Sequence, residues 1–151
     1  MGVIRREGDD GPESLLVYHP SYGYFFPSAR RKTGAPAEDM AVQAVRWDIA
    51  YPGDLTATWC AEVPHIHHSA RFGVRKREYR FQVCRVDVGG VDLNAAGNPL
   101  EASIRELAGA IAKTRTPLGP RGYWGWFTEK KLRDGTGLSA SLPVLVSAVL
   151  A

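Results

Sequence analysis

FFPSARRKTGAPAEDMAVQAVRWDIAY, residues 25–51, is the stretch whose order of residue types decides the fold. An aromatic strand end is followed by a small basic loop, and Pro36 stands where the first turn of a helix tolerates a missing N–H. From Ala37 onwards, apolar residues recur at three- and four-residue spacing, which predicts a helix with one buried face. These apolar residues are Ala41, Ala44, Val45 and Ile49. The order predicts a strand, a loop and a helix, which Pro52-Gly53 ends.

The same stretch resembles the Nudix box of the Nudix hydrolase family, G-x5-E-x7-R-E-U-x-E-E-x-G-U, where U is a bulky aliphatic residue. Phe26-Pro27 corresponds to the aromatic-proline pair that usually precedes the box, and Gly34 to the usual loop glycine. In that register, the three acidic positions of the box helix fall on Ala44, Trp47 and Asp48. The other box positions fall on Ala29, Ala35, Gln43, Val45, Ala50 and Tyr51, and Ala50 replaces the last glycine.

The three acidic positions determine what chemistry the resemblance implies. In active members of the family, three glutamates on one side of this helix hold divalent cations that bridge a diphosphate. Mg²⁺ requires hard oxygen ligands in a near-octahedral array, and the side chains of Ala44 and Trp47 offer no oxygen. Only Asp48 remains as a box carboxylate. The resemblance therefore implies a catalytically degenerate Nudix box, and the alternative is a hydrolase with an atypical Mg²⁺ site that uses Asp48 and Glu38, Asp39 or a histidine.

Length and composition indicate one ordinary globular domain over residues 1–151, with 44% hydrophobic and 23% charged residues. No apolar run approaches the roughly 18 residues of a membrane span, and the first residues lack the apolar core of a signal peptide. Cys60 and Cys84 both lie in strand-like runs, which favours buried free thiols. We expect no membrane association and a reducing cytoplasm.

Basic residues are concentrated in two clusters. The loop cluster is Arg30, Arg31 and Lys32, and the second cluster is Arg71, Arg75, Lys76, Arg77, Arg80 and Arg85. The net charge of +3 is too small to indicate nucleic acid. The clusters predict an anion-binding face, with phosphate contacts from Arg30, Arg31, Lys32, Arg75 and Arg77. Solvated strand edges and loop tips are the alternative interpretation.

Histidines and tryptophans provide weaker candidates. His65 and His67, with Asp48 or Cys60, contain donor atoms that suit Zn²⁺ or a similar ion, but no spaced ligand pair accompanies them. We expect these histidines to lie in a solvent-facing loop at a strand end. Trp59, Trp124 and Trp126 are candidates for stacking on a base, or for the core, which strands favour.

The rest of the chain supplies strands and two further helical regions. We expect strands at residues 2–6, 14–18, 24–26, 55–63, 77–88 and 123–127, with Pro64 ending the fourth and a single core face on the fifth. A helix is predicted from Pro99, capped by Asn98, with Glu101 on its outer side, and a last helix over 142–150. The predicted class is α/β (α+β), a Nudix-type α/β/α sandwich with a mixed sheet.

Three kinds of function fit these observations. The first is a non-hydrolytic binding or regulatory module for a nucleotide-like or other phosphorylated small molecule, or for a partner protein. The second is a Nudix-type pyrophosphohydrolase of a nucleoside diphosphate derivative, with an atypical metal site. The third is a structural partner domain, and an oligomer fits any of them. The resemblance cannot name the ligand, because fold does not fix function.

Overall fold

The computed structural model describes residues 1–19, 23–30, 32–68, 76–112 and 123–150, and only the backbone at 60, 65–68, 76–77 and 111–112. The strands are β1 (Gly2–Val3), β2 (Arg5–Gly8), β3 (Gly11–His19), β4 (Gly23–Phe25), β5 (Leu55–His68), β6 (Lys76–Val88) and β7 (Trp124–Thr128). The helices are α1 (Ala37–Ile49), α2 (Pro99–Ala112), α3 (Glu129–Asp134) and α4 (Leu142–Val149).

The strands form two sheets. In the first sheet the order is β1-β6-β5, with β1 parallel to β6 and β5 antiparallel to it, so this sheet is mixed. In the second sheet β3 pairs antiparallel with β2, β4 and β7. The prediction of one strand over residues 2–6 was wrong, because the chain leaves the first sheet at Ile4 and joins the second sheet at Arg5.

Helices cover both faces of the sheets and define two buried clusters. The α1-side cluster contains Val45 of α1 and Leu100 of α2, and the α4-side cluster contains Leu132 of α3 and Leu145 of α4. Neighbouring residues of one strand enter opposite clusters, as in the pairs Leu15 and Leu16 of β3 and Trp126 and Phe127 of β7. Such alternation places apolar side chains on both faces of a strand. The layered α/β class predicted from the sequence is confirmed.

Strand β6 changes its buried face along its length. Phe81 and Val83 pack in the α4-side cluster, whereas Cys84 and Val86 belong to the α1-side cluster. The prediction of one core face was therefore wrong, because α4 covers one half of the strand and α1 covers the other half from the opposite side. Cys84 is fully buried with a free thiol, as expected.

Strand β5 continues beyond Pro64. Pro64 pairs with Arg80, and the pairing of the two strands runs on to His68 opposite Lys76. Since β5 is the edge strand of its sheet, a proline is tolerated within it. The prediction that Pro64 ends the strand was wrong, and residues 65–68 belong to β5 and not to a loop.

Glu101 of α2 faces inwards and not outwards as predicted. Its Oε1 accepts hydrogen bonds from Arg6 Nη1 at 2.9 Å and from Trp126 Nε1 at 3.2 Å. Arg6 also bonds Glu13 Oε2 at 2.9 Å, and its guanidinium lies 4.3 Å from the centre of the Trp126 ring. This ion network joins β2, β3, β7 and α2, and it explains why a carboxylate lies beneath the helix.

The helix ends mostly follow the sequence. Asn98 Oδ1 accepts from the N–H of Glu101 at 2.9 Å, which confirms the predicted cap of α2. Thr128 Oγ1 accepts from the N–H of Lys131 at 3.3 Å and caps α3. Helix α1 ends at Ile49, before the predicted stop at Pro52-Gly53, and its C-cap residue Ala50 has a left-handed φ of 56°. In the part of the chain that the structure describes, no helix combines the length and the apolar composition that crossing a membrane requires.

Candidate functional site

The last turn of α1 brings Trp47 and Asp48 to a cleft. One stripe of this helix, with Ala41, Val45 and Ile49, is fully buried. Because a helix has about 3.6 residues per turn, Asp48 falls beside this stripe and Trp47 lies on the far side of the helix. Trp47 is 57% exposed, which is unusual for so large an apolar side chain.

The cleft occupies the end of the α1-side cluster. Leu15 and Trp126 carry one face of β3 and β7 into that cluster, and Val17 and Trp124 continue the same face at its edge. There the packing opens into a cleft of about 310 Å³. We call it the aromatic cleft. It is lined by Val17, Tyr18, His19, Phe25, Phe26, Ser28, Trp47, Asp48, Ile104, Leu107, Ala108, Tyr123 and Trp124.

Asp48 is the carboxylate of the aromatic cleft. Its Oδ2 accepts a hydrogen bond from the backbone N–H of Ser28 at 3.1 Å. Burial raises the pKa of Asp48 from 3.8 to about 6, and the Ser28 N–H opposes this change. The preceding carbonyl, that of Pro27, accepts from the N–H of Gly2 at 2.9 Å, so the loop that reaches Asp48 is anchored at both residues. Asp48 is therefore a positioned acceptor that titrates close to neutral pH.

The wall opposite Asp48 carries ordered aromatic rings. Tyr18 and Tyr123 make an edge contact with ring centres 5.8 Å apart, and the Arg105 guanidinium lies 5.4 Å from the centre of the Trp124 ring. Tyr123 is 7% exposed, and within the described residues its hydroxyl has no hydrogen-bond partner. Since buried polar groups are normally paired, this hydroxyl is a group that a bound ligand or water can satisfy.

The box positions do not provide a magnesium site. Ala44 is fully buried and offers no oxygen, Trp47 offers none, and Asp48 already uses Oδ2 to accept from Ser28. Every Asp and Glu of the sequence lies in the described residues, and among those residues no three His, Cys, Asp or Glu side chains form a group that could hold a metal. Among the described residues, the box positions therefore bring one carboxylate, and not an octahedral array of oxygen ligands, to the end of α1.

The predicted phosphate-binding residues are placed only in part. Arg30 and Lys32 are exposed in the loop before α1 and do not line the aromatic cleft. Arg77 lies in β6, opposite His67 of β5, and only its backbone is described. Arg31 and Arg75 lie outside the described residues. Because the structure describes the side chains of only Arg30 and Lys32 among these five residues, the phosphate site stays a prediction.

The histidine candidates lie in β5. His65 pairs with Tyr79 and His67 with Arg77, and the side chains of both histidines are outside the description. The predicted solvent-facing loop was wrong, because the β5–β6 ladder includes these residues. Asp48 instead lies at the end of α1, in the aromatic cleft.

Sequence reasoning missed most of the cleft. The sequence places Tyr18, Tyr123 and Phe25 only in strands, and of the two tryptophans that line the cleft it makes Trp124, but not Trp47, a stacking candidate. The sequence signal for this wall is the aromatic run YWGWF at residues 123–127, whose side chains alternate between the two faces of one strand. Trp126 lies in the core at 2% exposure, and Trp59 is 43% exposed outside the cleft.

Comparisons with protein-family models, with curated proteins and with solved structures give no match to this chain. The similarity to the Nudix box therefore stays a prediction from the residues.

Proposed function

We propose that this protein is a non-hydrolytic binding module for a nucleotide-like ligand, whose planar base occupies the aromatic cleft. The observation that carries this proposal is the exposed ring of Trp47 next to the half-buried carboxylate of Asp48 in one cleft of about 310 Å³. Ligand sites are typically apolar clefts with a few placed polar groups, and this volume lies at the lower end of their usual range. A concave cleft of this size favours a small molecule over a partner protein.

Trp47 supports the proposal through stacking. Trp47 is 57% exposed, so much of its apolar surface is in contact with water. A planar ring that stacks on it removes part of this surface from water, which is favourable. Stacking of a base on an aromatic side chain contributes about 1–3 kcal/mol. Removing the Trp47 ring is therefore expected to weaken binding by about ten-fold.

Asp48 supports recognition of the edge of a base. Its Oδ2 is engaged by Ser28, which leaves Oδ1 to accept from a ring N–H or an amino group. Because its pKa is about 6, the side chain is mostly ionised at neutral pH and repels phosphate. An anionic group on the ligand must therefore point away from Asp48.

Arg30 is the residue that suits that anionic group. It follows Ser28 by two residues, which limits their backbone separation to roughly 7 Å. Its guanidinium is exposed, as is the side chain of Lys32. In this arrangement the base contacts Asp48 and the phosphate contacts the basic loop.

Two local features support a degenerate Nudix domain. Ala50, at the position of the last box glycine, is the one described non-glycine residue with a positive φ, 56°. A left-handed residue is the conformation that glycine adopts without strain. The side chains of Ala44 and Trp47 contain no oxygen, which supports binding without hydrolysis. The buried free thiol of Cys84 suits a protein of the reducing cytoplasm.

The proposal is tested by thermal shift with AMP, ADP, GDP and UDP, each with MgCl₂ or with EDTA. A ligand that binds the folded state raises the melting temperature, and we expect a nucleotide to do so equally with MgCl₂ and with EDTA, without release of phosphate. Ribose 5-phosphate, which lacks the base, serves as the ligand control. Trp47→Ala should reduce the shift, and Trp59→Ala, which changes an exposed tryptophan outside the cleft, should not. An equal shift with ribose 5-phosphate, or no shift with any nucleotide, contradicts the proposal.

A further inference from the structure

Asp48 is a half-buried carboxylate that has no counter-ion among the described residues. Its one hydrogen bond there is the bond that Oδ2 accepts from the Ser28 N–H at 3.1 Å. No arginine or lysine of the described chain lines the aromatic cleft. Since an ionised group that leaves water needs compensating partners, the unbonded oxygen Oδ1 indicates a ligand that brings hydrogen-bond donors.

Two acceptors and one donor are open on this wall of the cleft. Oδ1 of Asp48 is unbonded within the described residues, and Oδ2 keeps a lone pair beside the Ser28 N–H, because a carboxylate offers about four lone-pair sites. The donor is the Ser28 hydroxyl, which also lacks a partner among those residues. Because Ser28 is held against Oδ2 by its own N–H, its side chain approaches the carboxylate from the Oδ2 side. The wall therefore presents a donor, an acceptor and a second acceptor in that order.

This order distinguishes the nucleobases by the groups on their hydrogen-bonding edges. Guanine carries a carbonyl, a ring N–H and an amino group side by side, so it matches a donor followed by two acceptors. Adenine and cytosine place the lone pair of a ring nitrogen beside their amino group, and this lone pair repels a carboxylate oxygen. Uracil has one ring N–H between two carbonyls, so one carbonyl faces an acceptor. Guanine is therefore the base that satisfies all three groups.

We propose that the aromatic cleft selects guanine nucleotides, with the Asp48 carboxylate accepting from the ring N–H and the amino group and the Ser28 hydroxyl donating to the carbonyl. The inference rests on the proposed function, since it needs a nucleotide in the cleft, and it adds which base is bound. Two N–H donors on one carboxylate form the bidentate arrangement that makes arginine–carboxylate pairs strong. Trp47 stacks on any base, because every base has a π-face. Selectivity therefore comes from Asp48 and Ser28, and affinity for nucleotides in general comes from Trp47.

The test is calorimetric titration with GMP, IMP and AMP at pH 8, where Asp48 is ionised because its pKa is about 6. IMP has the carbonyl and the ring N–H of GMP but lacks the amino group, so the ratio of the two affinities measures that single contact. We expect GMP to bind at least about ten-fold more tightly than IMP, since a charged acceptor that is left unpaired rejects the analogue. AMP should bind more weakly than GMP by at least the same factor, because its ring nitrogen faces a carboxylate oxygen.

Two variants separate the contacts. Asp48→Asn replaces one acceptor with an amide donor, so GMP should lose its advantage over IMP. Ser28→Ala removes the donor to the carbonyl, which both nucleotides carry, so it should weaken GMP and IMP alike and keep the ratio of their affinities. The matched control is Asp87→Asn, which changes an exposed carboxylate of β6 outside the cleft and should bind GMP and IMP as the parent does.

Melting temperatures of the variants show whether they remain folded, and the ratio of GMP to IMP affinity in the parent decides the proposal even if a variant unfolds. Equal affinities of the parent for GMP and IMP, or a preference for GMP that Asp48→Asn retains, overturn the guanine assignment and leave the nucleotide site standing. If none of the three nucleotides binds the parent, the proposed function itself is contradicted, and the guanine assignment with it.

Discussion

Asp48 is the residue whose surroundings most affect its chemistry. Burial at the end of α1 raises the pKa of Asp48 from 3.8 to about 6, and the hydrogen bond from the Ser28 N–H offsets only part of this rise. Because the pKa of Asp48 is higher in the folded state than in the unfolded state, the folded chain binds this proton more tightly than the unfolded chain does. The resulting stabilisation is present below pH 4 and is lost as the pH rises through about 6.

The first prediction is the pH dependence that Asp48 produces. Asp48→Asn keeps the shape and removes the titration, so relative to the variant the parent should lose on the order of 2–3 kcal/mol between pH 4 and pH 7. Urea denaturation of both proteins across that range gives the difference in unfolding free energy, since all other groups titrate equally in both. Parallel stability profiles would mean that the Asp48 carboxylate is as well solvated in the fold as in the unfolded chain.

Ala50 is the second residue with a specific consequence. A left-handed alanine carries a steric penalty of about 1–2 kcal/mol that glycine avoids. Ala50→Gly should therefore stabilise the protein, by up to about 1 kcal/mol after the larger entropy loss of glycine. The control is Ala102→Gly on the exposed side of α2, which should destabilise by about 1 kcal/mol. Destabilisation by both changes in chemical denaturation would contradict the left-handed end of α1.

At the scale of elements, the ion network around Arg6 fixes α2 against the strands. Side-chain exposures of 20% for Arg6, 10% for Glu13 and 13% for Glu101 leave these charges dependent on one another. If one of these charges is removed, the others still carry the free-energy cost of burial but lose part of the attraction that offsets it. We therefore expect α2, and with it one wall of the aromatic cleft, to depend on this network.

The third prediction compares two helical glutamates. Glu101→Gln should destabilise the protein by on the order of 2–3 kcal/mol, because it leaves Arg6 with an excess of buried positive charge. Glu129→Gln removes the exposed pair with Arg133, at 2.7 Å, and should cost less than about 1 kcal/mol. Equal losses in urea denaturation would show that the Arg6 network is no stronger than a surface pair.

Elements with a strong local signal were predictable, and those set by tertiary contacts were not. The start of α1 and the caps at Asn98 and Thr128 follow from residue types that act within one turn, whereas the end of α1 at a left-handed Ala50 does not. By contrast, the inward position of Glu101 depends on Arg6, which is distant in sequence, and the continuation of β5 past Pro64 depends on its place at a sheet edge. The pattern of neighbouring residues carries no information on the direction of the Glu101 side chain or on the length of β5.

Some residues of the candidate site could also be predicted from local sequence, and others depend on tertiary contacts. Asp48 could be singled out because its spacing on the helix carried the similarity to the Nudix box. Tyr18, Tyr123 and Phe25 could not, because the aromatic cleft arises where β3, β4 and β7 meet α1 and α2. An apolar residue in a predicted strand is assigned to the core, because the sequence does not show where the helix that covers the strand ends.

At the scale of the whole molecule, the two helical layers leave two concave sites. The aromatic cleft lies on the α1 side, and a cavity of about 460 Å³ with Val3, Val83 and Val149 in its walls lies on the α4 side, and the two share no lining residue. A change in the α4-side cavity is therefore expected to leave nucleotide binding unaffected. A variant such as Arg85→Gln should leave the nucleotide-induced thermal shift unchanged.

The central claim is that the aromatic cleft binds the planar base of a nucleotide. The most direct test follows the indole N–H resonances by NMR while ADP or GDP is added, because the chain has only four tryptophans. We predict that the signals of Trp47 and Trp124 shift, whereas those of Trp59, outside the cleft, and of Trp126, bonded to Glu101, stay in place. Signals of Trp47 and Trp124 that remain unchanged at the highest nucleotide concentration, or a shift confined to Trp59, would contradict the account.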